Sequence, residues 1–353
     1  MKKALAIVLA LMLVFSMTVV AFADGEALHF EIVSKGFQHQ YWQAVLKGAE
    51  EKAAELGVTI NFVGPANESA YDEQLSQLNS AIAAKPAAIG LAALSTETCL
   101  DAIATAQAAG VPIIGFDSGV PGAPEGAIWA NAATDNYAAG AMAAEKMYEA
   151  VAARIAAAEG AVRIGISAQD AVSDSVVSRG LGFIDKIGEL AAADGYTLKL
   201  EGNERYVTDA KVESDDAGKI IIEILVPSQV TAELSAIDCQ NLLNKADIIA
   251  LYGSNQHSAE AMVTANENLQ KLGSGEGQVI GAGFDSGAVI KAAVADGTFI
   301  GAVTQAPVAM GEALVELLVA AANGEAVADV DTGCQWYTAE NMNDPEIAQN
   351  LYD

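Results

Sequence analysis

Basic side chains are scarce in this chain of 353 residues. Lysine and arginine number 18 against 46 aspartates and glutamates, and the formal net charge is −28 at pH 7. Such an excess of negative charge repels the phosphates of nucleic acids and the surfaces of anionic lipids. The composition therefore makes nucleic acids and membrane surfaces poor partners, and it indicates mainly a well-solvated protein surface.

Cysteine is also rare. The three cysteines are far apart and form no C-x-x-C pair and no Cys/His cluster at metal-ligand spacing: Cys99, Cys239 and Cys334. We expect them to be buried as small apolar residues and to bind no metal. One disulfide with one free thiol is left open as the alternative.

Motifs of nucleotide-binding and catalytic proteins are missing. There is no Walker A sequence, and the glycine-rich stretch 273–277 precedes a predicted strand instead of linking a strand to a helix. The three histidines have no nucleophile or metal ligand at a recognisable spacing: His29, His39 and His257. We therefore expect no cofactor and no enzymatic activity, and an α/β enzyme is the less favoured alternative.

The one long apolar run is at the N-terminus. Lys2 and Lys3 precede the apolar segment Ala4–Val20, and Ala-Phe-Ala follows, which is the layout of a secretory signal peptide cleaved after Ala23. An uncleaved membrane anchor is the alternative, although the run is near the lower length limit for spanning. Because no cysteine precedes Cys99, we expect a free protein of the periplasm or cell envelope, not a lipid-anchored one.

The mature chain, about 330 residues, is too long for a single core and suits two domains. In its first part, short apolar runs alternate with segments of helical period. Continuous apolar strands of this kind are typical of parallel sheets that helices cover on both faces. We predict strands at 28–34, 58–63, 87–94 and 111–116, and helices at 41–56, 72–84 and 96–109.

The same alternation resumes after Asp135. The segment 206–227 interrupts it, with charged residues before the apolar run Ile220–Val226, and predicts an inserted hairpin or surface arm. The fold class is therefore α/β, with two doubly wound parallel-sheet lobes. In this second part we predict strands at 161–167, 196–201, 248–252, 278–284 and 299–304, and helices at 136–158, 175–190, 231–243, 256–272 and 288–295.

One pentapeptide, GFDSG, occurs in both parts, at 115–119 and at 283–287. Each copy ends a predicted strand, so Asp117 and Asp285 lie at strand carboxyl ends, where open parallel sheets bind ligands. If the lobes face each other across a cleft, both carboxylates point into the same space. The alternative is that each aspartate caps the following helix, which suits Asp285 better because a turn-rich loop follows Asp117.

Aromatic residues make up only 6% of the chain, yet three of them follow the first predicted strand within 35–42. Aromatic rings pack against the apolar face of a sugar, while charged and amide side chains hydrogen-bond to its hydroxyls. The alternative for Phe37 and Trp42 is an ordinary place in the core. Polar side chains near equivalent strand ends complete the candidate set: Arg179, Asn255 and Gln305.

Six stretches carry a resemblance to a known family: YWQAVLKGAEEKAAELGV (41–58), AGVPIIGFDSG (109–119), ATDNYAAGAMAAEKM (133–147), SRGLGF (178–183), YGSNQHSAEAM (252–262) and VIGAGFDSG (279–287). In this order and spacing they resemble the exported sugar-binding proteins of ribose- and galactose-type ABC importers, which have the type I periplasmic binding fold. The resemblance extends from Phe30 to Gln335.

The resemblance implies that a monosaccharide or similar polyol binds between the lobes and that hinge closure presents it to an ABC permease. Ribose binders have an amide where His39 stands and an arginine where Ser118 stands, which argues against ribose itself. By position, the family's ligand contacts fall on His39, Tyr41, Trp42, Asp117, Arg179, Asn255, Asp285 and Gln305, with Phe37, Ser118 and Tyr206 as further candidates.

The resemblance also implies three chain crossings, near 132–135, 305–306 and 333–335. They would divide the chain into an N-terminal lobe, 24–132 plus 306–334, and a C-terminal lobe, 133–305 plus 335–353. We expect a monomer that binds no nucleic acid, because repressors with this core carry a basic headpiece where this chain has an export signal. A sensor that presents the sugar to a chemoreceptor or sensor kinase stays open as the alternative.

Overall fold

The computed structural model describes residues 27–37 and 39–352. The predicted signal peptide, residues 1–23, lies outside this range. Within the described part of the chain, no helix combines the length and the apolar character needed to cross a bilayer.

A six-stranded sheet forms the centre of the first lobe. Its strands are β1 (His29–Val33), β2 (Thr59–Val63), β3 (Ala88–Leu91), β4 (Ile113–Phe116), β5 (Ile128–Ala133) and β12 (Val330–Asp331). They lie in the order β12-β5-β4-β3-β1-β2, and every described pair is parallel. β3 and β4 are buried along their whole length, as their continuous apolar sequences predict.

A seven-stranded sheet forms the centre of the second lobe. Its strands are β6 (Val162–Ser167), β7 (Leu198–Gly202), β8 (Ile220–Leu225), β9 (Ile248–Gly253), β10 (Ile280–Phe284), β11 (Phe299–Gln305) and β13 (Cys334–Tyr337). They lie in the order β13-β11-β10-β9-β6-β8-β7. β13 runs antiparallel to β11, and the other described pairs are parallel.

Eleven described helices accompany the sheets. Gly57 ends the first of them in the left-handed conformation, with φ of 67°, which glycine adopts readily at the end of a helix. The helices are α1 (Gln40–Leu56), α2 (Tyr71–Ala84), α3 (Leu100–Ala108), α4 (Asn136–Ala157), α5 (Asp174–Ala193), α6 (Glu204–Asp209), α7 (Ala232–Leu243), α8 (Gln256–Leu269), α9 (Ala288–Ala295), α10 (Pro307–Ala322) and α11 (Pro345–Ala348). The predicted α/β class with two parallel-sheet lobes is confirmed.

The segment 206–227 is not the hairpin or surface arm that the sequence predicts. It contains most of α6 and all of β8, and β8 lies inside the sheet between β6 and β7, parallel to both. The apolar run is therefore a buried strand, and the charged residues before it belong to the loop that leads into that strand. Glu223 is tolerated in β8 because Arg163, at 2.6 Å, and Lys245, at 2.8 Å, pair with its carboxylate.

Two pairs of helices pack backbone to backbone at glycines. A Cβ on Gly48 of α1 would collide with the carbonyl oxygen of Val308 in α10, and a Cβ on Gly140 of α4 would collide with the carbonyl oxygen of Arg179 in α5. Glycine permits this close approach because it has no side chain. The two contacts fix α1 and α5 in the body of their lobes.

The chain passes between the two sheets three times. It leaves the first sheet at Ala133, where β5 ends, and returns to it after Gln305, where β11 ends. The third passage joins Asp331 in β12 to Cys334 in β13. Each sheet is therefore built from separate stretches of the chain.

The cysteines of this fold are unpaired. Cys99 and Cys239 are buried, Cys334 is half-buried, and all three thiols are free. The prediction of buried apolar cysteines is confirmed for the first two, and the disulfide alternative is wrong.

Candidate functional site

The two GFDSG copies form the same turn at the end of a strand. Asp117 follows β4 with φ of 57°, and Asp285 follows β10 with φ of 71°. Aspartate tolerates this left-handed conformation better than most residues. Each backbone N–H donates to the neighbouring strand, from Asp117 to the Ala132 carbonyl at 3.0 Å and from Asp285 to the Val303 carbonyl at 2.7 Å. The repeated sequence thus builds one local structure twice, once in each lobe.

Asp285 does not cap the helix that follows it. That helix, α9, begins after Gly287 and has no side-chain cap. The Asp285 carboxylate instead accepts the backbone N–H of Gln256, at 3.0 Å, where α8 begins. Its negative charge therefore lies at the positive end of a different helix, and the capping alternative is wrong for this residue.

Side chains of both lobes line a cavity whose empty volume, about 340 Å³, includes space open to solvent. Lys35, Glu68, Ser175, Val176 and Gln256 also contribute to the lining. The eight leading residues of the sequence prediction all line the cavity: His39, Tyr41, Trp42, Asp117, Arg179, Asn255, Asp285 and Gln305.

Asp117 carries the charge of the first wall and is 3% exposed. Its carboxylate accepts the hydroxyl of Tyr41 at 2.9 Å and pairs with the ammonium group of Lys35 at 2.8 Å. Burial, together with the negative charges of Asp117 and Asp285, raises the pKa of Tyr41 well above its ordinary value. The phenol therefore stays protonated and acts as a hydrogen-bond donor.

Asp285 carries the charge of the opposite wall. The amide of Gln305 donates to its Oδ1 at 2.7 Å, and the guanidinium of Arg179 lies 4.0 Å from its Oδ2. Burial raises the pKa of Asp285, while Arg179 and Gln305 act in the opposite direction. Arg179 is itself positioned by Asn136, whose Oδ1 accepts its Nε at 2.7 Å, and by the ring of Phe284, 4.0 Å from its Cζ.

Glu68 is a third buried carboxylate in the cavity and is not among the residues predicted from the sequence. It accepts the indole N–H of Trp42 at 2.7 Å and the amide of Gln169 at 2.9 Å. Burial alone would raise the pKa of Glu68, but the positive charges of His39 and Lys35 and these two hydrogen bonds hold it below its ordinary value. Glu68 therefore stays ionised in the cavity.

A sequence signal for the missed residues exists but is weak. Glu68 lies in the polar stretch PANES after β2, and Lys35 lies just after β1. Both follow strand carboxyl ends, so the rule that located Asp117 applies to them as well. Polar residues in such loops are usually solvated turn residues, and nothing in the sequence alone distinguishes these two from that majority.

The two lobes contact each other directly across the cavity. Lys35 donates to the hydroxyls of Ser173 and Ser175 in the second lobe, both at 2.9 Å. At other points along the cleft, Gln169 bonds to Glu68 as described, and the amide of Gln256 donates to Gln40 at 2.7 Å. The backbone N–H of Thr96 also donates to the carbonyl of Val172 at 3.1 Å. These contacts show a closed cleft.

Two histidines face each other in this closed cleft. The ring centroids of His39, from the first lobe, and His257, in α8 of the second, are 6.2 Å apart. His257 also shares a hydrogen bond of 2.8 Å with the hydroxyl of Ser235. Burial, and then the positive charge of His39, lowers the pKa of His257 to about 4, against the opposite effect of Glu68.

Three further candidates from the sequence lie outside the cavity lining. Phe37 packs against Phe62, with ring centroids 5.7 Å apart, because its ring belongs to the first-lobe core. Tyr206 is fully buried in the second-lobe core, where its hydroxyl donates to the carbonyl of Asp170 at 2.9 Å. Ser118 lies at the contact between lobes, 3.3 Å from the hydroxyl of Ser173. These three predictions of cavity contact are corrected.

The residues of the cavity do not form a metal site. In residues 27–37 and 39–352, no group of three or more His, Cys, Asp and Glu side chains could hold a metal ion. The positive charges of the lining instead pair with its carboxylates, as Lys35 does with Asp117. The cavity thus combines charge-paired walls, aromatic surface and amide groups.

Comparison with known proteins agrees with this architecture. A model of the periplasmic binding protein domain matches residues 30–326. A solved structure described as an ABC transporter, LacI family transcriptional regulator from Brachyspira murdochii is 34% identical, with a TM-score of 0.76, over 93% of this chain and 99% of that one. No curated protein matches this chain significantly.

Two other solved structures contain bound sugars. A solute-binding protein of an ABC transporter from Agrobacterium vitis, with bound D-fucose, is 26% identical, with a TM-score of 0.75, over 92% of this chain and 100% of that one. A carbohydrate transporter solute-binding protein from Agrobacterium radiobacter, in complex with D-arabinose, is 26% identical, with a TM-score of 0.74, over 92% and 99% of the two chains. Since the family model spans most of the chain, this protein belongs to the periplasmic binding protein domain family.

Proposed function

We propose that this protein captures an uncharged monosaccharide or similar polyol in the cavity between its lobes and delivers it to an ABC permease. One observation carries the proposal: Asp117 and Asp285 come from equivalent turns of two separate sheets, and both line a single cavity of about 340 Å³. Relatives that bind D-fucose and D-arabinose support the same class of ligand.

The chemistry of the lining favours an uncharged ligand with many hydroxyls. Lys35 pairs with Asp117 and Arg179 faces Asp285, so an anionic group on the ligand would lack a dedicated partner. The carboxylates and amides accept hydroxyl protons, and charged groups do so most strongly. Two buried amide oxygens of the lining have no hydrogen-bond partner among the described residues and suit ligand hydroxyls: Gln256 Oε1 and Gln305 Oε1.

In this proposal the aromatic residues of the cavity contact the face of the sugar ring, and its polar residues contact the edge. Tyr41 and Trp42 pack at right angles, with ring centroids 5.0 Å apart, and supply aromatic surface for the apolar face of the ring. Polar side chains from both lobes hydrogen-bond to the hydroxyls at its edge. These are His39, Asp117, Arg179, Asn255, Asp285 and Gln305, joined by Glu68.

Hinge closure delivers the ligand. In this proposal the lobes 24–132 plus 306–334 and 133–305 plus 335–353 move as rigid units about the three connections between the sheets. A sugar favours the closed form because that form alone brings both sets of contacts to it. The permease then recognises the closed form.

Export and a free, monomeric state complete the proposal. Membership of a periplasmic binding protein family supports export, and the N-terminal sequence supports a cleaved signal peptide. We further propose that the mature protein is not lipid-anchored and that it acts without a cofactor or catalytic step, as a binding protein.

A thermal-shift screen of monosaccharides and polyols on the mature chain tests this function. A true ligand present at a hundredfold excess over its dissociation constant stabilises the protein by on the order of 3 kcal/mol. Asp117→Asn and Asp285→Asn should abolish that shift, because asparagine tolerates the left-handed backbone but lacks the charge.

Asp101→Asn, at an exposed position in α3, is the matched control and should behave as the parent chain does. Isothermal calorimetry on folded variants gives the affinities directly. If no sugar or polyol stabilises the parent chain, or if both site variants bind as tightly as the parent, the proposed function is wrong.

A further inference from the structure

A second pocket opens at the rim of the cleft, and the proposed monosaccharide site does not use it. Its empty volume, about 960 Å³, includes open solvent. One side is formed in the first lobe by Ser69 and Tyr71, and the other in the second lobe by the loops 169–172 and 226–231. We call this space the outer pocket.

Gln169 lies between the outer pocket and the lining of the cavity. Gln169 lines the outer pocket, is 1% exposed and bonds on its inner side to two residues of the cavity lining. Its amide donates to Glu68 at 2.9 Å, and its Oε1 accepts from Asn255 at 2.8 Å. A ligand that extended past Gln169 would therefore lie in both spaces at once.

The outer pocket has the chemistry of a sugar subsite. Tyr71 presents a half-buried ring at the start of α2, and Asp170 is a buried carboxylate beside it. Burial, followed by the negative charges of Asp170 and Glu68, raises the pKa of Tyr71, so its hydroxyl stays protonated and can donate a hydrogen bond. Val172, 37% exposed, adds apolar surface. An aromatic ring next to hydrogen-bonding groups matches the two faces of a pyranose.

We propose that the outer pocket binds the second ring of a glycoside whose first ring occupies the cavity, so that the ligand class includes disaccharides. The glycosidic linkage passes where Gln169 now bonds to Glu68, and the Gln169 amide turns to a ligand hydroxyl instead. This inference rests on the proposed function, since it requires a sugar in the cavity.

Calorimetry with matched sugars tests the inference. The probes are D-glucose, D-galactose and D-xylose, each beside disaccharides that contain it as a terminal ring. At least one disaccharide should bind about tenfold more tightly than its monosaccharide, the gain expected from one well-placed aromatic contact. Tyr71→Ala should remove that gain and leave monosaccharide affinity unchanged. Tyr196→Ala, at a half-buried tyrosine away from the cleft, is the control and should change neither.

The outcomes separate the two proposals. Monosaccharide binding without any gain for disaccharides overturns the second-ring site and leaves the proposed function intact. An equal loss for both ligands in Tyr71→Ala also overturns it, because Tyr71 would then act on the cavity as a whole. Absence of binding by every monosaccharide and polyol of the thermal-shift screen, as well as by these disaccharides, overturns the proposed function, and this inference with it.

Discussion

Asp117 and Asp285 have the same backbone conformation but different charge environments. Asp117 pairs closely with Lys35, at 2.8 Å, whereas the nearest guanidinium to Asp285 lies at 4.0 Å. Burial accordingly raises the pKa of Asp285. The Asp285 carboxylate is thus stabilised more by neutral hydrogen-bond donors, and a sugar hydroxyl can add to them. Asp117 instead binds Lys35, a cation that also connects the two lobes.

The pH dependence of stability should reveal His257. Its pKa of about 4 in the folded protein is below the ordinary value of about 6.5, so the unfolded chain binds a proton first as the pH falls. The contribution of His257 to the free energy of unfolding is complete above pH ~6.5. As the pH falls from there to ~4, about 3 kcal/mol of this free energy is lost. Urea unfolding of the parent chain at a series of pH values measures this loss.

Two variants make that measurement specific. His257→Gln should flatten the slope of unfolding free energy between pH 6.5 and 4, because it removes the titrating group. His29→Gln, at an exposed histidine of β1, is the control for removing an imidazole elsewhere in the protein. A slope that persists in His257→Gln would assign the acid sensitivity to other groups.

Individual site residues were predictable where they followed a strand with a distinctive sequence. The repeated pentapeptide located both aspartates, and the aromatic loop after β1 located Tyr41 and Trp42. Lys35, Glu68 and Gln169 escaped because a polar residue in a loop gives no sequence signal of burial; their burial comes from the opposite lobe. The prediction that Tyr206 contacts the ligand was wrong, because an aromatic residue after a strand is as often a core residue as a ligand contact.

A helix contact at Gly140, which does not itself line the cavity, helps to position Arg179. Gly140 in α4 lies against the carbonyl oxygen of Arg179 in α5, and Asn136 in α4 binds the Arg179 side chain at 2.7 Å. The α4–α5 contact therefore determines where the guanidinium lies in the cavity. Elements outside the lining thus help to position a side chain of the lining.

Gly140→Ala should weaken both the fold and the site. The new methyl group has to push α5 away, which costs about 1–3 kcal/mol of unfolding free energy. We expect sugar affinity to fall about tenfold as Arg179 shifts, equivalent to ~1.4 kcal/mol. Denaturant unfolding and calorimetry measure the two effects separately.

Gly160→Ala is the matched control, because nothing lies within 4 Å of a Cβ at that position, and it should change neither quantity. A Gly140→Ala variant that loses stability but binds sugar as the parent does would show that Arg179 is positioned independently of the helix contact.

At the level of elements, the sequence predicted the alternation but misjudged one strand. The run Ile220–Val226 was separated from its neighbours by charged residues, and local pattern does not show that a strand is inserted between two others in a sheet. β5 and α10 received no assignment, because chain passages between lobes interrupt the regular alternation at both places. Long-range pairing, which local sequence does not encode, decided these cases.

Direct contacts between the two lobes hold the whole molecule closed. Lys35 bonds across the cleft to Ser173 and Ser175, and Glu68 bonds to Gln169. These groups belong to the site itself, so a ligand that enters exchanges protein contacts for its own hydrogen bonds. The ligand's preference for the closed form is the difference in free energy between the contacts that it makes and the protein contacts that it replaces.

A crystal structure of the mature chain with its tightest-binding sugar tests the central claim most directly. The account predicts one sugar ring between Asp117 and Asp285, with hydroxyls within about 3 Å of both carboxylates and an aromatic ring of α1 against one face. A sugar that contacts a single lobe, or that binds outside the cavity, would contradict it.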